Sequence, residues 1–99
     1  MRVLIVDDQA TVRDGLRLML SLEPDIDVVG TAQDGVTALV LVEATVPDLV
    51  LMDLKMPVMN GIEATRQIVA RFSGTRVLVL TTYDADEWVF DAVQAGAAG

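Results

Sequence analysis

The stretch Leu49-Val50-Leu51-Met52-Asp53-Leu54-Lys55-Met56-Pro57-Val58-Met59-Asn60-Gly61 decides how the rest of the chain is read. Its first four residues are apolar without alternation, as in a central strand of a parallel sheet covered on both faces. The run ends on a carboxylate, Asp53. Pro57 then fixes its own φ and biases Met56 toward extended backbone, while Gly61 permits close passage at the start of a helix. A plain strand-to-helix loop satisfies this pattern. A functional reading has the loop shape one wall of a crevice and turn the Lys55 carbonyl toward a bound cation.

Working outward, three more apolar runs appear: Val3-Leu4-Ile5-Val6, Val28-Val29-Gly30 and Val77-Leu78-Val79-Leu80. The spacings leave room for a helix between each pair. Val12, Leu16, Met19 and Leu20 recur at helical intervals, with Arg13, Asp14 and Arg17 expected to face outward. Val36, Leu39, Val40 and Glu43 mark a second helix, and Ile62, Thr65, Ile68, Val69 and Phe72 a third. Thr11 with Asp14, Asn60 with Glu63 and Asp84 with Glu87 have the spacing of capping pairs, and Gly96 closes a last helix. The pattern predicts β1 (2–7), α1 (11–22), β2 (26–31), α2 (34–44), β3 (48–53), α3 (60–72), β4 (76–81) and α4 (84–95). Such alternation makes an α/β doubly wound parallel sheet with helices on both faces. An order of 2-1-3-4 puts the switch point between β1 and β3, where a crevice opens at the carboxyl ends of the strands.

Strand β1 runs into Asp7-Asp8 and β3 ends in Asp53, so this topology brings three carboxylates to that crevice. Singly, each has an ordinary structural reading, as a turn cap or a strand end. Together they repel one another unless a cation lies among them, and an oxygen-only donor set suits Mg²⁺. Strand β4 ends in Thr81-Thr82-Tyr83 beside β3. A hydroxyl at Thr81 is placed to donate to a phosphoryl oxygen carried by Asp53 and to follow it, whereas Thr82 reads as an ordinary strand residue.

Composition narrows the chemistry. Ninety-nine residues fit one domain, and a 53% hydrophobic, 22% charged chain has the apolar surface for a core. Seven basic residues against fifteen acidic give a net charge of −8, which excludes the positive face that nucleic acid or an anionic membrane requires. Without cysteine or histidine there is no disulfide, thiolate zinc site, Ser-His triad or imidazole base. Carboxylates, hydroxyls, backbone groups and a cation remain. The apolar runs are too short to span a membrane and no signal peptide precedes β1, so a cytoplasmic location is expected.

Asp7-Asp8 after β1, Asp53 within Leu-Met-Asp-Leu-Lys-Met-Pro-Val-Met-Asn-Gly and Thr81 after β4 together resemble the receiver domain of two-component response regulators, a flavodoxin-like fold. The order and spacing hold from Met1 to Gly99. Asp8-Gln9, Val12-Arg13-Asp14-Gly15-Leu16-Arg17 and Gly96-Ala97-Ala98-Gly99 resemble the NarL/FixJ type, in which a receiver precedes a helix-turn-helix DNA-binding domain. The resemblance implies that Asp53 is the phosphoacceptor, that Asp7, Asp8, Asp53 and the Lys55 carbonyl hold Mg²⁺, and that Thr81 is the switch hydroxyl. It implies a sensor histidine kinase as donor, since this chain has no histidine, and a regulatory rather than enzymatic role.

The family's lysine and switch aromatic on a fifth strand fall past Gly99, so residues 1–99 are expected to be a receiver cut short before its last strand and helix, with the DNA-binding domain also absent. Such a chain exposes the β4 edge, and self-association through that edge or the α4 face carrying Trp88 and Phe90 follows as an expectation. Two other functions fit parts of the pattern. A Mg²⁺-dependent aspartyl phosphohydrolase shares the nucleophile, but such enzymes carry a second acid two residues on at the end of the first strand, whereas Asp53 is on β3 and position 55 is Lys. An unphosphorylated protein-interaction fragment keeps the fold without the switch.

Overall fold

A computed structural model describes residues 1–53 and 61–80. The described elements are β1 (Arg2–Val6), α1 (Ala10–Ser21), β2 (Asp27–Ala32), α2 (Gly35–Thr45), β3 (Leu49–Asp53), α3 (Gly61–Arg71) and β4 (Arg76–Leu80). All strand pairs are parallel and the sheet order is β2-β1-β3-β4, as the alternation of elements predicts. The region expected to form α4 lies outside the described residues.

Strand alternation divides the core between the two faces of the sheet. Leu4, Val6, Val50, Met52 and Val77 point to one face, where Ala38 and Val42 of α2 and Ala64 and Ile68 of α3 cover them. Val3, Ile5 and Leu51 point to the other, against Leu16 and Leu20 of α1. Every apolar residue of β1 is therefore buried, which explains its unbroken hydrophobic run. Where β1 meets β2 the register slips: Val3 pairs Val28 but Leu4 pairs Gly30, leaving Val29 as the extra residue of a bulge. Gly30 lies against the Leu4 and Leu41 side chains at this point.

The helices present different faces from those expected. In α1, Leu16 and Leu20 pack on the sheet, but Val12 and Met19 are exposed and Arg13 is half-buried. The inward stripe is Arg13, Leu16 and Leu20, at i, i+3 and i+7. In α2 the buried residues are Gly35, Ala38 and Val42, while Val36 and Val40 face out. Residues 36 to 42 are apolar almost throughout, so periodicity carries little information there. Helix α3 buries Gly61, Ala64, Thr65 and Ile68, with the Thr65 hydroxyl donating to the Gly61 carbonyl at 2.6 Å.

The helix ends differ too. Helix α1 begins at Ala10, so Thr11 is helical rather than a cap, and Gln9 at the cap position makes no side-chain capping bond. Among the described residues a side-chain cap is made at α2, where the Asp34 carboxylate accepts from the Thr37 amide at 2.8 Å, whereas Asn60 lies outside them. That helix closes on Val46 in the left-handed region (φ 45°, ψ 64°), its amide donating to the Val42 carbonyl, and Pro47 follows. Among the described residues no helix is long and apolar enough to cross a membrane.

At the amino-terminal ends of the strands, hydrogen bonds join neighbouring segments. The Arg2 amide donates to the Asp48 carboxylate at 2.8 Å and the Asp48 amide to the Arg2 carbonyl at 2.9 Å. The Arg76 amide donates to the Asp48 carbonyl at 3.0 Å, and the buried Thr75 hydroxyl to the Pro47 carbonyl at 2.7 Å.

Candidate functional site

At the opposite end of the sheet, pairing determines which residues meet. Val6 of β1 pairs with Met52 of β3, so one step further Asp7 and Asp53 leave adjacent parallel strands side by side. Strand β1 ends there because two consecutive carboxylates resist burial. Asp8 is exposed, and Asp7 and Asp53 are half-buried. One carboxylate oxygen from each of Asp7, Asp8 and Asp53 lies within 4.8 Å of the others. The three acids that topology predicts at one crevice are thus brought together. Asp53 also pairs with Leu80 of β4, which places the end of that strand beside it. Lys55 and Thr81, expected to join the site, lie outside the described residues.

The loop from β1 to α1 is fixed at several points. The Asp7 amide donates to the Ala32 carbonyl of β2 at 3.0 Å, extending the ladder one residue past the strand. The Asp7 side chain accepts from the Gln9 amide at 2.9 Å, closing an Asx turn. The Asp7 carbonyl accepts from the Arg13 guanidinium at 2.7 Å. Arg13, expected to face solvent, is therefore a residue of the site that the outward reading missed. Its signal in the sequence is its place at i, i+3 and i+7 with Leu16 and Leu20.

Electrostatics give the cluster its character. Burial pushes the Asp7 carboxyl above its ordinary value; the Gln9 amide opposes that rise, the Asp8 carboxylate adds to it, and the Arg13 guanidinium also opposes it. Like charges crowded at a partly buried strand end favour the entry of either a proton or a cation. All three donors are carboxylate oxygens, the ligand type preferred by hard divalent ions.

A profile of the response regulator receiver domain matches residues 3–99. The chain belongs to the response regulator receiver family. This receiver is 48% identical over 97 residues to the uncharacterized transcriptional regulatory protein YhcZ of Bacillus subtilis, a match covering 98% of the chain and 45% of YhcZ. Among solved structures it resembles the signal receiver domain of the putative response regulator NarL from Mycobacterium tuberculosis, at 40% identity and a TM-score of 0.93, over 99% of this chain and 79% of that one. It also resembles a chain of the CheX–CheY–BeF3–Mg²⁺ complex from Borrelia burgdorferi, at 28% identity and a TM-score of 0.90, over 99% and 74%. The chain spans less than half the length of the curated relative it matches. The resemblance to receivers of the NarL type, the doubly wound fold and the role as a two-component receiver all hold.

Proposed function

We propose that Asp53 is the phosphoacceptor of this receiver and takes a phosphoryl group from the phosphohistidine of a sensor kinase. The meeting of the Asp7, Asp8 and Asp53 oxygens within 4.8 Å carries this reading. An Asp53 carboxylate oxygen attacks phosphorus as the bond to the histidine nitrogen breaks, leaving an acyl phosphate on Asp53. Asp7, Asp8, Asp53 and the Lys55 carbonyl are the residues that would hold Mg²⁺. When bound, the ion neutralises charge on the phosphoryl oxygens. The oxygen-only donor set supports that choice of metal, as does the Mg²⁺ in the structurally similar complex from Borrelia. Thr81, following Leu80, is assigned as the switch hydroxyl that donates to the new phosphoryl oxygen.

In the longer protein the receiver governs a transcriptional output domain that binds DNA, a reading supported by relatives described as transcriptional regulators of about twice this length. The setting is cytoplasmic, and the role is regulatory, with at most self-catalysed gain and loss of phosphate. Self-association would use β4, an edge strand among the described residues, or the face at residues 84–95. Incubation with Mg²⁺ and a small acyl phosphate should add one phosphoryl mass to the intact protein, and Asp53→Asn should remove that gain. Absence of any mass increase in the unsubstituted protein would refute the assignment.

A further inference from the structure

The carboxylate trio brings like charges together. Its members repel, Asp8 is exposed, and α1 begins without the side-chain cap that commonly locks a strand-to-helix loop. Yet the loop is held. The Asp7 peptide is gripped on both sides, its amide by Ala32 of β2 and its carbonyl by Arg13 of α1. Arg13 occupies the position of the inward stripe nearest the start of the helix, ahead of Leu16 and Leu20, where a further apolar residue would have met the sheet. An arginine there carries a guanidinium back past the first helical turn to the strand end.

We propose that Arg13 is the positioning residue of the carboxylate trio: by holding the Asp7 carbonyl it fixes the β1–α1 loop so that Asp7 and Asp8 face Asp53. This rests on the reading of the trio as a Mg²⁺ site. Arg13 acts through the backbone of a ligand and touches neither metal nor phosphoryl group. Helix α1, anchored by Leu16 and Leu20 on the sheet, thereby becomes the rigid support of a loop that lacks a cap of its own.

The sign of one effect separates this role from that of a bystander charge. Arg13 is positive and close to the trio, so on Coulombic grounds alone its removal must strengthen cation binding. Loss of a clamp must weaken it. Calorimetric titration of the full chain with Mg²⁺ at neutral pH is expected to show Arg13→Gln binding about three- to tenfold more weakly than the unsubstituted protein, the scale of the net contribution of one hydrogen bond. Arg17→Gln removes the same charge from the exposed face one turn further along and should leave affinity unchanged. If circular dichroism shows Arg13→Gln unfolded, Arg13→Lys is read instead. It keeps the charge, so a bystander leaves affinity unaltered, whereas the lost reach of the guanidinium weakens it about twofold or more. Equal or tighter binding by the folded variant, beside normal binding by the unsubstituted protein, overturns the clamp alone. No Mg²⁺ binding by the unsubstituted protein overturns the metal reading, and the clamp with it.

Discussion

Asp7→Asn should stabilise the protein when divalent ions are chelated and destabilise it, relative to the unsubstituted chain, when Mg²⁺ is abundant. Asn keeps an oxygen for the Gln9 amide, so the Asx turn survives and the change is mainly one of charge. Asp7 and Asp8 are neighbours in the unfolded chain as well, so folding adds the burial of the Asp7 carboxylate and its repulsion from Asp53. Taken at 4.8 Å, the upper limit of their oxygen separation, the repulsion alone costs about 0.9 kcal/mol in bulk water and about 3.5 kcal/mol at an effective dielectric of 20. Both groups are half-buried, which places the term at about 1.5 kcal/mol, or roughly 6–12 °C in midpoint for a domain of this size. The pH dependence has a definite sign. A carboxyl whose folded value is raised holds its proton more tightly in the native state, so stability of the unsubstituted protein falls as pH rises from 3.8 through the raised value. The advantage of Asn is therefore full at neutral pH and vanishes in acid. Mg²⁺ reverses the order: ligand at a hundredfold its Kd adds about 2.7 kcal/mol to the protein that binds it, and the two curves cross near tenfold. Thermal unfolding followed by circular dichroism, in chelator and across a Mg²⁺ series, tests both halves. A variant less stable than the unsubstituted protein in chelator at neutral pH would refute the repulsion argument.

Two backbone positions give further expectations. Gly15 lies inside α1, and a Cβ there meets nothing within 4 Å, so Gly15→Ala should add about 1 kcal/mol, seen as a higher urea midpoint with unchanged slope. A drop in midpoint would mean that the α1 surface at Gly15 is not open. Val46 holds a left-handed conformation at a cost of about 1–2 kcal/mol for a residue with a Cβ. It is 61% exposed, so Val46→Gly sacrifices little burial. Allowing about 0.5–1 kcal/mol for the greater freedom of glycine in the unfolded chain, the net gain should be about 0.5–1 kcal/mol. Unchanged or lower stability in the same assay would contradict the strain.

The sheet and the meeting of the three acids were legible because both follow from strand order. Unbroken apolar runs such as Val3–Val6 mark strands buried on two faces, and parallel strands with helical connections admit few orders. Once β1 lies beside β3, Asp7 and Asp53 need no side-chain detail to become neighbours. Helix faces were less legible. Around α2, Val36 to Val42 offers apolar residues in nearly every direction, and only packing selects Ala38 and Val42 over Val36 and Val40. Thr11 has the chemistry of a cap, but the helix starts earlier, after a turn closed by the Asp7 side chain. Arg13 was misread because charge is ordinarily a mark of the solvent face, whereas an arginine stem can follow an apolar stripe and deliver its head to a carbonyl at the edge.

The two ends of the sheet are fastened by unlike means. Around Arg2, Asp48 and Arg76 the segments are sewn by short backbone and carboxylate bonds whose strength owes nothing to the state of the acidic cluster. The other end is balanced among charges. The molecule is thus bound like a book along its spine, and a gain or loss of charge acts first at the open margin. Amide protons near the spine should accordingly exchange slowly, following only the change in global stability when the acids are neutralised, while those of the β1–α1 loop also record local opening.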